Sequence, residues 1–393
     1  MARRNGGFVG QDGLDAPDIP TGVTASAGIS SVSVAFTAPT DTGTSAITGF
    51  VAQVSTDDTA YSAGSNTGTS SPIAVSSLTN GTAVTVKVWA INAYGTSAPS
   101  AASSSVTPST SGAAVIGGGI SGYAASLEAI LMASLGNSLD FGDLAVGVSN
   151  SPAGVGNTAR IIFAGGFDGS NNSDVIQFGT YAGGTFEDFG NLTNGRNGTC
   201  GCNNNTRAVF SGSSTSPGNV IDYITIASEG NTTDFGDSTQ ARESVKAVNS
   251  TTRGVFIGAE SHNVIDYITF GSTGNATDFG DMVSAATHSG GACSNATRGL
   301  YAGGNRSGNI NDIQYITIAN TGNASDFGDL TTATVYLDGG SSATRAVFMG
   351  SASGNIIQYV TIASTGNATD FGDLIANRVQ IPAATSNAHG GLS

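Results

Sequence analysis

The side chains that could do chemistry in this 393-residue chain recur at regular intervals instead of clustering. An Asp-Phe-Gly triplet can set a carboxylate on a magnesium ion beside a phosphate. Here it occurs six times, with its phenylalanines at Phe141, Phe189, Phe235, Phe279, Phe327 and Phe371. The companions of that chemistry, a phosphate-cradling glycine loop ahead of a helix and an H-R-D segment, do not accompany it. Arg160, Arg207, Arg253, Arg298 and Arg345 form a second series. Clustered arginines grip a carboxylate, but an arginine repeated once per unit points in a different direction each time. The series is expected to bridge neighbouring units, to an aspartate such as Asp237 or Asp281 or to carbonyls, because buried guanidinium groups must be paired. Cys200, Cys202 and Cys293 are too few for a thiolate metal site and are read as small packing residues. His262, His288 and His389 show no clustering. No catalytic residue, metal or cofactor is expected.

The elements that carry these residues follow from the repeat. Successive phenylalanines are 48, 46, 44, 48 and 44 residues apart, and a period near 45 with several short strands is that of β-propeller blades. In the unit beginning T-R-G-L-Y-A-G-G at Thr297, the double glycine permits a sharp exit from a strand. Ile313 to Ile318 is apolar on both faces, as in a strand packed between neighbours. Gly322-Asn323 tolerates the positive φ of a tight turn into the phenylalanine strand. A fourth strand must lie between each phenylalanine motif and the next arginine.

This order of double glycine, middle strand with tyrosine, then aromatic and leucine resembles the kelch repeat, with phenylalanine where kelch units usually carry tryptophan. The resemblance covers residues 112 to 393 and implies a six-bladed β-propeller. Its first copy, A-A-V-I-G-G-G from Ala113, lacks a preceding strand. S-N-A-H-G-G-L from Ser386 matches S-N-A-T-R-G-L from Ser294, so the C-terminus is expected to supply it and remove two open sheet edges. A kelch propeller beside a sandwich domain is similar to galactose-oxidase-type enzymes. Their copper site takes two histidines and two tyrosines, one crosslinked to a cysteine, and the scattered histidines here do not match it. The Asp-box turns of sialidase propellers need a different spacing and a following tryptophan, whereas the only tryptophan is Trp89.

Residues 17 to 108 have a different texture. P-D-I-P-T-G-V-T-A-S, then S-V-S-V-A-F-T-A-P, then V-T-V-K-V-W-A-I-N-A-Y-G-T-S-A-P-S resemble a fibronectin type III domain. Phe36 stands for the usual core tryptophan, Phe50 opens the third strand, and Val84 replaces the corner tyrosine. Seven short strands in two sheets are expected, with 109 to 111 as linker and residues 1 to 16 as an N-terminal arm.

Net charge is −15, and lysine is limited to Lys87 and Lys246. This argues against nucleic acid as a partner, which needs a basic footprint. No stretch approaches the roughly 20 apolar residues of a membrane span. The arm has no apolar core of a secretory signal peptide.

Near-identical units such as Y-I-T-I-A-S-T-G-N-A-T-D-F-G-D-L, joined to G-G-F-V-G-Q-D-G-L-D-A-P-D, resemble virion structural proteins of tailed phages of marine cyanobacteria. That resemblance implies a tail or neck fibre or surface appendage, present in multiple copies and assembled in the host cytoplasm. Phe8, Val9 and Leu14 of the arm would dock on other virion proteins by strand addition. The loops after the double glycines vary most, and Asp168, His262 and Arg306 are their candidate contacts, with a host-surface glycan as the possible ligand. A secreted or cell-surface bacterial adhesin is the alternative, and a polysaccharide-degrading enzyme would need a carboxylate pair in a cleft.

Overall fold

The computed structural model describes residues 15–62, 66–109, 112–120, 125–181, 183–259, 262–286, 289–352 and 354–392. Phe8, Val9 and Leu14 lie outside the described residues. The chain divides into two compact units, Met1–Thr110 and Ser111–Ser393. The described residues form strands and turns, with no helix among them.

The first unit holds seven strands in two antiparallel sheets. Thr21–Gly28, Ser31–Thr37 and Ile73–Val75 make one; Thr67–Gly68, Ile47–Ser55, Thr85–Asn92 and Gly95–Thr96 make the other. Apolar residues alternate along Ser31–Thr37 and Thr85–Asn92, so one face of each sheet turns inward. Phe36 and Phe50 meet there at 4.7 Å, among Val32, Val34, Val86 and Val88. Val84, buried, pairs its backbone with Val106 in both directions. Beyond it the strand edge is completed by serines at every third residue. The Ser97, Ser100 and Ser103 hydroxyls accept from the amides of Ala90, Val88 and Val86, at 2.9 to 3.1 Å.

The second unit is built of six sheets. Sheet I comprises Ala383–Ser386, Ala113–Gly117, Ser126–Leu131 and Leu139–Asp143; sheet II, Ala153–Gly156, Arg160–Ala164, Val175–Thr180 and Glu187–Asn191. Sheet III comprises Cys200–Asn203, Arg207–Ser211, Val220–Thr225 and Thr233–Asp237; sheet IV, Lys246–Asn249, Arg253–Ile257, His262–Thr269 and Thr277–Ala286. Sheet V comprises Gly291–Ser294, Arg298–Ala302, Asp312–Thr317 and Ser325–Asp329; sheet VI, Asp338–Ser341, Arg345–Ser351, Gly354–Thr361 and Thr369–Asp373. The four strands of each sheet are antiparallel in that order. The first strand of each sheet lies against the first strand of the next, from sheet I through sheet VI and back to sheet I. The cycle closes through the chain's end: Ala383 to Ser386 pairs antiparallel with Gly117 to Ala114.

The repeated residues join the sheets. In each D-F-G the phenylalanine is buried, and in sheets II to VI it meets an aromatic of the third strand edge-on, as Phe235 meets Tyr223 at 5.9 Å. The following glycine faces the glycine turn of the next sheet. A Cβ on Gly236 would stand 2.5 Å from the Gly274 carbonyl, and its φ of +145° is one that side chains rarely adopt. The turn then bonds back. Gly274 N donates to Phe235 O at 2.7 Å, and Asp237 N donates to Asn275 Oδ1 at 3.1 Å. The same bonds run from Gly136 to Phe371 at 2.9 Å and from Asp373 to Asn137 at 3.1 Å, across the seam between sheets VI and I. Between sheets I and II, Gly184–Thr185 takes this place by pairing in parallel with Gly142 and Asp143. The first aspartate of the motif is exposed in all six copies.

The repeat arginines do the second half of this joining. Each guanidinium lies over the aromatic ring of its own sheet's third strand, 4.4 to 4.6 Å from the centroid. From there it donates to a carbonyl of the next sheet: Arg160 to Ile226, Arg207 to Phe270, Arg253 to Ile318, Arg298 to Ile362 and Arg345 to Met132. All five use carbonyls, and Arg160 adds an ion pair to Glu229 at 3.2 Å. Among the described contacts none reaches Asp237 or Asp281, which lie on the outer strands of their sheets.

A second set of arginines, Arg196, Arg242 and Arg378, is fully buried at the junctions II/III, III/IV and VI/I. They pair with Asp222, Asp266 and Glu128 of the following sheet's third strand. Each arginine is seven residues past the phenylalanine of the preceding sheet. At the other three junctions that position holds Val148, Ala286 or Thr334, and the third strand carries Gln177, Gln314 or Gln358 instead of an acid. The glutamines bond backbone: Gln358 Oε1 accepts from Thr331 N at 2.8 Å, and Gln314 Oε1 from Val283 N at 2.9 Å. Charge enters the interior only where its counter-charge does, as burial of unpaired ions requires.

Candidate functional site

The described side chains best placed to meet a ligand lie at one mouth of the six-sheet cycle. Two residues before each first strand stand Ser151, Gly198, Ser244, Ser289, Tyr336 and, in sheet I, Ile381. All but Ile381 have positive φ, between 56° and 78°. For non-glycine residues that conformation costs on the order of 1–3 kcal/mol each and persists only where the surroundings impose it. Here the loops are tied to one another around the cycle. Ser151 N donates to Ile381 O at 2.8 Å, Ser244 N to Gly198 O at 2.9 Å and Tyr336 N to Ser289 O at 2.8 Å.

These six residues, with Asn150, Asn197 and Glu243, line a basin of about 220 Å³. Among the described residues lining it, Glu243 carries the only charge. Ser151 is 2% exposed, and its hydroxyl is buried with no hydrogen-bond partner.

Deeper along the first strands lies a cavity of about 50 Å³. Lys246 crosses it to Asp338 at 3.2 Å, and Asp338 also accepts from Gly339 N at 2.9 Å and Ala384 N at 3.1 Å. The intervening sheet has Gly291 at the matching position, which leaves the crossing open. Cys200 and Cys293 share the lining. Burial pushes the Cys200 thiol up to about 12 and raises those of Cys202 and Cys293, so all three remain protonated and unreactive near neutrality. A water needs roughly 10–15 Å³ of such space. The cavity therefore takes a few waters and no organic ligand.

The C-terminal tail seals the far end. Gly390 N donates to Ser294 O at 2.8 Å, and an added Cβ at Gly391 would fall 1.9 Å from Asn203 O, so only glycine fits. His389 lies buried between sheets: Nε2 donates to Gly156 O at 2.7 Å, while Nδ1 accepts from Asn249 Nδ2 at 2.9 Å and Gly391 N at 3.1 Å. That tautomer is the neutral one the bonding requires. Burial holds the imidazole down, to about 4 from an ordinary 6.5. A lowered folded value means that the unfolded chain binds the proton first. Stability is therefore expected to fall as pH drops from about 6.5 to about 4, by about 3 kcal/mol for this residue alone. Denaturant titrations of the parent and of His389→Thr across that window check it. The expected result is a shallower pH slope in the variant; identical slopes would contradict this burial.

The loop residues singled out by sequence are not gathered into one site. Asp168 accepts from Ser170 N and Asn171 N, both at 2.8 Å, and these bonds hold its carboxyl below the usual range. Arg306 pairs with Asp312 of its own sheet at 2.7 Å. His262 opens the third strand of sheet IV opposite Ala286. They sit in three different sheets, and the first two are engaged in their own loops. The basin was not anticipated, because serine and tyrosine at positive φ leave no mark in sequence. The buried ion pairs did leave one: an acid in the third strand accompanies an arginine seven past the preceding phenylalanine.

No family model matches the chain, and no curated protein matches it. Among solved structures, the crystal structure of domains A168-A170 from titin is 28% identical over 24% of this chain and 33% of that chain, with a TM-score of 0.23.

Proposed function

We propose that the second unit is a six-bladed, kelch-like β-propeller, the first a fibronectin type III-like domain, and the protein a non-enzymatic virion structural protein. In this reading it is a tail or neck fibre or surface appendage that presents the propeller to the host surface or to other virion parts. The observation that carries it is the use of the repeated residues. The phenylalanines, glycines and arginines of the repeat are engaged in joining one sheet to the next, which gives a rigid mount. The loops after the double glycines and the residues at the axial mouth differ from copy to copy, the variety that a display protein needs.

Attachment would fall to the arm, with Phe8, Val9 and Leu14 as the side chains available for burial. At about 1.5–3 kcal/mol each, three such residues make a firm anchor only when several copies act together. Peptide mass spectrometry of phage particles purified from a lysate containing this chain tests the reading. It is expected to find the chain in multiple copies per particle; absence from intact particles would overturn it in favour of the adhesin.

A further inference from the structure

We propose that the basin at the axial mouth binds one neutral hexose ring of a surface glycan, stacked on Tyr336. This rests on the display reading and gives it a site other than the loops after the double glycines.

Its wall offers what a sugar ring presents. Hydroxyl and amide groups come from Ser151, Asn197 and Ser244, and apolar surface comes from Tyr336 and Ile381. A pyranose has the same two characters, a hydroxyl edge and a C–H face, and aromatic rings take the face while polar groups take the edge. Ser151 supplies a buried hydroxyl without a partner.

Charge selects among sugars. The one charged side chain in the described lining is Glu243, and the whole chain carries −15. Acidic sugars and phosphates are repelled, while a carboxylate accepts readily from neutral hydroxyls. Size selects further. About 220 Å³ is below the roughly 300–1,000 Å³ of pockets for larger ligands, so a single ring fits and a longer stretch lies outside.

Tyr336 gives the strongest indication. It is the one aromatic among the six matching positions, and it holds a φ of 63° that glycine or asparagine would adopt more easily. Its ring is the one aromatic surface in the described lining, which otherwise offers hydroxyls, amides, one carboxylate and the aliphatic Ile381.

Isothermal titration and saturation-transfer NMR on the full chain, with D-glucose, D-galactose and D-mannose against glucuronate and sialic acid, form the test. At least one neutral hexose is expected to bind in the millimolar range, and neither acidic sugar. Tyr336→Gly relieves the backbone and is expected to melt no lower than the parent, yet to bind at least tenfold more weakly, about 1.4 kcal/mol. Asp168→Ala and Arg306→Ala are expected to bind as the parent does. No binding by any neutral hexose, unchanged binding in Tyr336→Gly, or preference for an acidic sugar would overturn the site. Binding by a chain that is absent from virions would leave the site standing and remove the virion reading. Presence in virions without binding would do the reverse.

Discussion

Arg196→Thr alone is expected to destabilise the protein by about 3–5 kcal/mol, and adding Asp222→Gln is expected to return it to within about 1 kcal/mol of the parent. The first change leaves Asp222, fully buried, with its charge unmatched. The second converts the junction of sheets II and III into the kind that this chain already has between sheets V and VI. There Thr334 occupies the arginine position and Gln358 the acid position. Gln358 accepts from both the amide and the hydroxyl of Thr331, and Thr334 bonds Ser351 at 2.8 Å. The matching residues at the altered junction are Thr193 and Ser213, so each new side chain has its partner in place. Thr193 already bonds Asp222 through its hydroxyl at 2.8 Å. Urea unfolding of the two single variants and the double variant gives the coupling directly. Equal losses for Arg196→Thr and the double variant would show that packing around the guanidinium, and not the pairing of its charge, holds the junction.

The sequence made the repeat legible because its most constrained residues are also its most regular. Gly236 and its five counterparts must be glycine where two backbones touch, and Phe235 and its counterparts must fill one space each. The closing strand was legible for the same reason, since Ser386 and Asn387 keep the identities of Ser294 and Asn295. The joining role of the arginines followed from their period, but their partners did not, because a backbone carbonyl has no signature in sequence. The buried pairs were overlooked for a different reason. Arg196, Arg242 and Arg378 occur at only three of six junctions, so a search for what all copies share passes over them.

The basin was the least legible part. It depends on φ angles at Ser151, Ser244, Ser289 and Tyr336, residue types that ordinarily avoid positive φ. Their conformation is imposed by hydrogen bonds between loops far apart in sequence, such as Ser151 to Ile381. The serine ladder of the first unit was hidden in the same way. A run reading S-A-P-S-A-A-S looks like a loop until the amides of Val86, Val88 and Ala90 are found bonded to it.

Removing the C-terminal strand is expected to have the largest effect of all. Deletion of residues 381 to 393 takes the first strand from sheet I and the two neighbours that sheets II and VI have in it. It exposes Ile116, Ala114 and Met349, removes the Ala384 amide from Asp338, and strips the His389 seal from the far end of the axis. The strand edge of Ala113–Gly117 is left unpaired, an open template for association. Ordinary trimming of a chain end does none of this.

The six sheets form one closed cycle whose last junction is made by the two ends of the second unit. Differential scanning calorimetry of the full chain with and without residues 381 to 393 measures it most directly. The transition of the second unit is expected to fall by roughly 10 °C or more on deletion, the equivalent of about 5 kcal/mol for a unit of this size. Equal melting temperatures for the two chains would contradict it.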